Sequence, residues 1–118
     1  MSTKGPTPLP VFDEIRERLL PLVAGHGFRP GPIEREAVNA YAEFWRKGVR
    51  LRLVWEGNER TVWVETAPDA DAQVVGRWQD IEWIEAGERL PVDYDLSAVR
   101  VDRLLAAVER FLAARPRV

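Results

Sequence analysis

The sequence predicts an α+β fold: an antiparallel meander of three to four strands packed against an N-terminal and a C-terminal helix. Three observations carry this expectation. Phe12, Ile15, Leu19, Leu22 and Val23 recur at helical spacing near the start. GVRLRLVWEGNERTVWVETA, residues 48–67, alternates apolar and polar residues on both sides of a glycine–asparagine pair. Val101, Leu104, Leu105, Val108, Phe111 and Leu112 form a second helical stripe near the end. The chain has 118 residues, which suits one domain with one core.

Residues 1–10 contain Pro6, Pro8 and Pro10 and are expected to be a flexible lead-in to a single domain over 11–115. The first helix is expected over 11–24, with Asp13 and Glu14 in its first turn, where they suit the helix dipole. Pro21 removes one backbone bond and should kink the helix or begin its last turn. Gly25 and Gly27 end it, and Phe28 is expected to fold back onto the core.

Residues 33–46, IEREAVNAYAEFWR, fit two patterns. Alternation of Asn39, Tyr41, Glu43 and Trp45 with Val38, Ala40, Ala42 and Phe44 fits a strand. Pro32, the early glutamates and Gly48 also bracket a helix with Ile33, Ala37, Ala40, Tyr41 and Phe44 on one stripe. A strand over 37–46 is preferred, because an isolated two-stranded hairpin is marginal and needs a third strand or a helix.

The hairpin is expected to turn tightly at Gly57-Asn58, pairing Glu56 with Glu59. Leu53 would then oppose Val62, and Leu51 would oppose Val64, on an apolar face. On the other face Arg52 would oppose Trp63, and Arg50 would oppose Glu65.

Asp69 or Asp71 is expected to cap a short helix running through Val74, Val75 and Trp78. DIEWIE, residues 80–85, is either a fourth strand or a helical continuation. Residues 86–95 are expected to be a loop. The last helix should begin between Ser97 and Asp102, with Arg100, Arg103, Glu109 and Arg110 off its apolar stripe. Arg115 and Arg117 suit its C-terminal dipole, and Pro116 stops it.

Charge is unevenly distributed. The whole chain is net −2, but residues 65–95 carry nine acids and two bases, whereas the remainder is net +5. Of the 17 basic residues, 15 are arginine, which with abundant alanine and proline suggests a GC-rich bacterial genome. There is no cysteine, which excludes disulfides and thiolate metal sites. No apolar run approaches the roughly 20 residues of a membrane span, and the N-terminus lacks the apolar core of a signal peptide. A cytoplasmic location is the default expectation.

Catalytic signatures are sparse. His26, the single histidine, reads as an exposed helix-end residue, and neither Ser2 nor Ser97 lies in a nucleophile-elbow context. The pairs Asp69/Asp71, Asp80/Glu82 and Asp93/Asp95 have a spacing that is frequent by chance in an acidic segment, and Asp69-Ala70-Asp71 lacks the glycine and terminal glutamate of a calcium loop. The glycines of GHGFRPG have no phosphate-loop lysine. No enzyme, cofactor or metal is therefore expected.

LLPLVAGHGF, LRLVWEGNERTVWVE and VDRLLAAVERFL together resemble small bacterial helix–meander–helix proteins, many of them uncharacterised and some acting as immunity proteins for toxins. The resemblance spans most of the chain at the level of pattern, and implies binding rather than catalysis.

The leading expectation is a non-enzymatic protein–protein interaction module, with an immunity- or antitoxin-like role as its specific form. Its acidic segment would meet a basic partner through Trp78 and Trp83 as anchors, with Asp69, Asp71, Asp80, Glu82 and Glu85 supplying charge. Ile81 and at least one of these tryptophans should also anchor the segment to the core. An alternative is a small-ligand or single-stranded nucleic-acid binder on the hairpin face of Trp45, Arg52 and Trp63. The sequence pI of about 5.5 speaks against nucleic acid. A second alternative is a homo-oligomer, a homodimer in the simplest case, that buries exposed tryptophans against its own copy.

Overall fold

The computed structural model describes residues 9–74, 76–86 and 98–115, with side chains for 11–70, 72–74, 76–85 and 100–115. It is an α+β fold. Helix α1 (Leu9–Ala24) leads into strands β1 (Arg29–Glu36), β2 (Asn39–Arg46), β3 (Val49–Glu56) and β4 (Thr61–Pro68). A 3-10 turn (Asp69–Asp71) follows, then a two-residue strand β5 (Gln79–Asp80), helix α2 (Ile81–Ala86) and helix α3 (Ala98–Ala113). The strands form one antiparallel sheet in the order β1-β2-β3-β4-β5.

α1 starts earlier than its apolar stripe implies, so Asp13 and Glu14 lie beyond the first turn. Pro21 opens the last turn, where only one backbone bond is forfeited. The helix closes with Phe28 N donating to Val23 O and Gly27 N to Ala24 O, both at 3.0 Å. That crossed pair satisfies the terminal carbonyls and turns Phe28 inward, where it is buried.

The strand reading of 37–46 holds as β2, and its alternation is visible in burial. Ala40, Ala42 and Phe44 are buried, while Tyr41, Glu43 and Trp45 are half-buried on the opposite face. β1 is the strand the sequence hides. RPGPIERE has no apolar alternation, contains Pro30 and Pro32, and is almost wholly exposed. It is an edge strand with a register irregularity between Pro30 and Ile33. Proline is tolerated there because no neighbour needs its missing N–H.

The β3–β4 hairpin departs from the expected register by two residues. Glu56 pairs with Thr61, Leu53 with Val64 and Arg52 with Glu65, around a loop of residues 57–60. A tight two-residue turn is replaced by one in which Glu59 N donates to the Glu56 carboxylate at 2.8 Å and Arg60 takes φ 55. A slip of two preserves which face each side chain occupies, so the apolar set is unchanged while every cross-strand partner changes. Gly57 is constrained from outside its hairpin. A Cβ there would lie 2.1 Å from the Val38 carbonyl oxygen in the neighbouring β1–β2 turn. Gly57 N also donates to Asn39 Oδ1 at 3.1 Å, tying the two turns together.

The expected helix through Val74, Val75 and Trp78 does not form among the described residues; Val75 lies outside them. The 3-10 turn is preceded by Pro68 and has no side-chain cap. Asp80 is the cap instead, accepting from Glu82 N at 2.8 Å at the start of α2. DIEWIE is thus both expected things in succession, the end of a strand and then a helix. The loop expected over 86–95 and the C-terminal residues Pro116 and Arg117 lie outside the residues whose side chains are described.

One core lies between the sheet and the helices. Phe12, Ile15, Leu19 and Val23 of α1 meet Phe44, Leu51, Leu53, Trp55, Val62 and Val64 of the sheet and the expected stripe of α3. Ile81 joins them fully buried. Burial of each large side chain is worth about 1.5–3 kcal/mol, so this cluster is the main source of stability. Arg100 is the exception to the predicted α3 pattern. It is 2% exposed, donating to Val62 O at 2.9 Å and to Glu82 Oε1 at 2.7 Å. No helix among the described residues is long and apolar enough to cross a membrane.

Candidate binding face of the sheet

Strand parity decides what the sheet shows on the side away from the core. Three rows run across it: Tyr41, Val54 and Trp63; Glu43, Arg52, Glu65 and Asp80; Trp45, Arg50 and Ala67. The buried side chains of all three helices belong to the core on the other side. Val54 and Ala67 are buried within this open face, whereas its aromatic residues are half-buried.

The arginines are held rather than free. Arg52 Nε donates to Glu65 Oε2 at 2.6 Å, a charge-assisted bond, and a second guanidinium nitrogen reaches the same oxygen. Its guanidinium lies 4.2 Å from the centroid of Trp78 and 5.7 Å from that of Tyr41. Arg50 donates to Asp69 at 2.7 Å, approaches Glu43 at 3.5 Å and stacks 4.7 Å over Trp45. The tryptophans are oriented by the same carboxylates. Trp45 Nε1 donates to Glu43 Oε1 at 2.8 Å, and Trp63 Nε1 to Glu65 Oε1 at 2.9 Å. Trp78 Nε1 donates to Ala72 O at 3.1 Å. Each ring is therefore fixed in azimuth, and those of Trp45 and Trp78 lie against a planar cation. The expected Arg52–Trp63 opposition is replaced by Arg52–Glu65 and Val54–Trp63 through the register shift.

The two candidate sites of the sequence merge in part and divide in part. Trp45, Arg52 and Trp63 share this face as expected. Trp78, Asp69 and Asp80 come to it from the acidic segment. Trp83, Glu82 and Glu85 do not. They sit on α2, which packs on α3 and β4. Glu82 is turned inward to Arg100 with its side chain 10% exposed, which corrects the expectation that it faces water or a partner. Burial raises its pKa above the ordinary glutamate value, an effect that Asp80 reinforces and that Arg100 and Arg103 oppose. Glu85 lies 3.5 Å from Arg110 of α3. Trp83 is half-buried. The side chain of Asp71 lies outside the described residues.

Sequence reasoning missed why these groups separate. A helix begins at Ile81, so the period-2 geometry that puts Trp78 and Asp80 on one face ends there. The signal was present in Asp80, a capping residue two positions before the backbone N–H it satisfies.

His26 is also placed differently from expectation. Its side chain is 22% exposed, and Nε2 lies 2.8 Å from Glu109 Oε2, linking the end of α1 to α3. Among the described residues no group of three His, Asp or Glu side chains is arranged to hold a metal ion.

No protein-family model matches the chain, and no curated protein or solved structure matches it.

Proposed function

We propose that the protein is a non-enzymatic binding module that docks a cationic protein partner on the open face of its sheet. The observation that carries this reading is the grouping of Trp45, Trp63 and Trp78, all half-buried, around two arginines already held by carboxylates. Tryptophan and arginine are the side chains that most often dominate interface energetics. Here they are pre-oriented by internal bonds, which lowers the ordering cost of association.

Charge selects the class of partner. Glu34, Glu43, Glu65, Asp69 and Asp80 stand against Arg29, Arg50 and Arg52 on this side of the sheet. The local balance is negative, so a lysine- or arginine-bearing surface is attracted and a phosphate backbone is repelled. Arg50 and Arg52, central to the nucleic-acid alternative, are internally neutralised. Strand addition is disfavoured at the β1 edge, where Pro30 and Pro32 remove two donors. The partner therefore meets the face, not that edge. An immunity- or antitoxin-like role, with a basic toxin as partner, is the specific form of this proposal that the sequence resemblance favours.

The test is co-purification of the partner from the source cells, followed by calorimetry with defined variants. Trp78→Ala should weaken binding by about 2 kcal/mol or more, as expected for an interface anchor. Added salt should weaken it further. Glu17→Lys, an exposed charge reversal on α1, should leave it unchanged. Equal binding by wild type and Trp78→Ala refutes the reading. A stable dimer that dissociates on the same substitution would put self-association in its place.

A further inference from the structure

A concave pocket of about 350 Å³ opens at the end of the sheet, where the β2–β3 turn meets the end of α1. Arg29, Trp45, Arg46, Lys47, Arg50 and Asp69 line it. Four cations thus face one carboxylate, in a chain whose net charge is −2. Arg50 is compensated by Asp69 and Glu43. The other three are not. Arg46 donates to the His26 carbonyl at 2.9 Å and stacks 4.7 Å from the Phe28 ring, but meets no carboxylate. Arg29 and Lys47 are exposed, and among the described residues their side chains make no hydrogen bond or ion pair.

The position of Arg46 follows from the backbone. The two-residue turn at Lys47-Gly48 pairs Arg46 with Val49, and the carbonyl at the end of α1 receives the guanidinium. The Trp45 wall is also built. Gly31 lies so close that a Cβ there would stand 2.9 Å from Trp45 Nε1 and 3.0 Å from Cε2. Glycine at this point of the irregular edge strand lets the indole lie against β1, while Glu43 and Arg50 fix its tilt. A rigid aromatic wall beside three uncompensated cations is the chemistry of an anion site with a planar neighbour.

We propose that this pocket binds a phosphate monoester whose organic part carries a planar ring, a ligand of mononucleotide size. A phosphate dianion offers three acceptor oxygens to Arg29, Arg46 and Lys47, and the ring packs on Trp45. The volume lies near the lower end of the roughly 300–1,000 Å³ range of small-molecule sites, which suits one such ligand and not a polymer. The site goes beyond the partner-docking face. It shares Trp45, Arg50 and Asp69 with that face and abuts it at Arg29, the register partner of Trp45, while Arg46 and Lys47 lie at the rim of the sheet.

NMR titration of the full chain with adenosine monophosphate, inorganic phosphate and adenosine tests this. Adenosine monophosphate should shift the Trp45 indole and the Gly27 and Lys47 amides saturably. Phosphate should shift the same amides more weakly, and adenosine should shift none of them. The double substitution Arg29→Glu/Lys47→Glu touches no internal bond, so its spectrum should stay dispersed. Its dissociation constant for adenosine monophosphate should rise more than about tenfold, the factor that about 1.4 kcal/mol represents. The proposal is overturned if adenosine monophosphate at millimolar concentration leaves these signals unmoved. It is equally overturned if adenosine binds as well, if phosphate alone binds as tightly, or if the double variant keeps the wild-type affinity. Lys47 lies in the β2–β3 turn, outside the rows of the docking face, and Trp78 does not line the pocket, so loss of this site in Lys47→Glu and loss of partner binding in Trp78→Ala are separable results.

Discussion

Replacing Arg100 with methionine should destabilise the protein in a way that depends on pH. Methionine fills the aliphatic space but deletes donors to Val62 O and Glu82 Oε1, at 2.9 and 2.7 Å. It leaves the Glu82 carboxylate, with its side chain only 10% exposed, without that guanidinium. Removing one partner of a buried pair costs about 3–5 kcal/mol when the other charge cannot escape. Glu82 can escape in part by taking up a proton, since burial already raises its pKa. An intermediate loss of about 2–4 kcal/mol at pH 7 follows, a large share of the 5–15 kcal/mol typical of whole domains. In the wild type, Glu82 holds its proton more tightly folded than unfolded. Its contribution is therefore complete below the unfolded pKa and is lost as pH rises through the folded value. In the variant the lowering influence of Arg100 is gone, so the folded pKa climbs and the loss grows. Urea denaturation of both proteins at pH 5 and pH 8 should show the gap widening at pH 8. Adding Glu82→Gln to the variant should recover at least about half of the loss at pH 8, because no carboxylate then remains buried. A gap that is equal at the two pH values, or below about 1 kcal/mol at both, refutes the buried-pair reasoning.

Gly57→Ala should lower stability by about 1–3 kcal/mol or more, because the new methyl meets a backbone oxygen and not a flexible side-chain end; thermal melts check it. Gly31→Ala should displace the Trp45 indole, seen as a shifted Trp45 Nε1–H resonance, while changing the melting temperature less than Gly57→Ala, since the clash is with a movable side chain. Arg18→Ala removes an exposed ion pair to Asp102 and should cost no more than about 1 kcal/mol. A larger loss would mean that the α1–α3 contact depends on charge and not on the core.

The sheet centre and both long helices were legible because their apolar periodicities are clean and a packed core enforces them. Val54 and Trp55 sit on opposite faces simply because strand parity requires it. β1 was not legible, since an exposed edge strand has no buried face to impose a pattern and its prolines argue locally against a strand. The hairpin register was not legible either. Gly57-Asn58 fits a tight turn, but the larger loop is set by Glu56, Arg60 and the neighbouring β1–β2 turn, which are tertiary matters. Arg100 reads as surface on a helical wheel. The Glu82 carboxylate on α2 and the Val62 carbonyl both help to make burying it tolerable. For the candidate face, Trp45, Arg52 and Trp63 followed from alternation alone. The arrival of Trp78 depended on β5, two residues long, and no periodicity can mark so short an element.

The five tryptophans supply the most direct test of the docking claim. Trp45, Trp63 and Trp78 lie on the open face, whereas Trp55 is in the core and Trp83 is on α2. Indole N–H resonances of the chain should be followed while the captured partner is added. The account predicts that the Trp45, Trp63 and Trp78 signals shift or broaden together, while those of Trp55 and Trp83 stay in place. Movement of Trp83 with the open-face signals unchanged would contradict it and return the interface to the helical side of the domain.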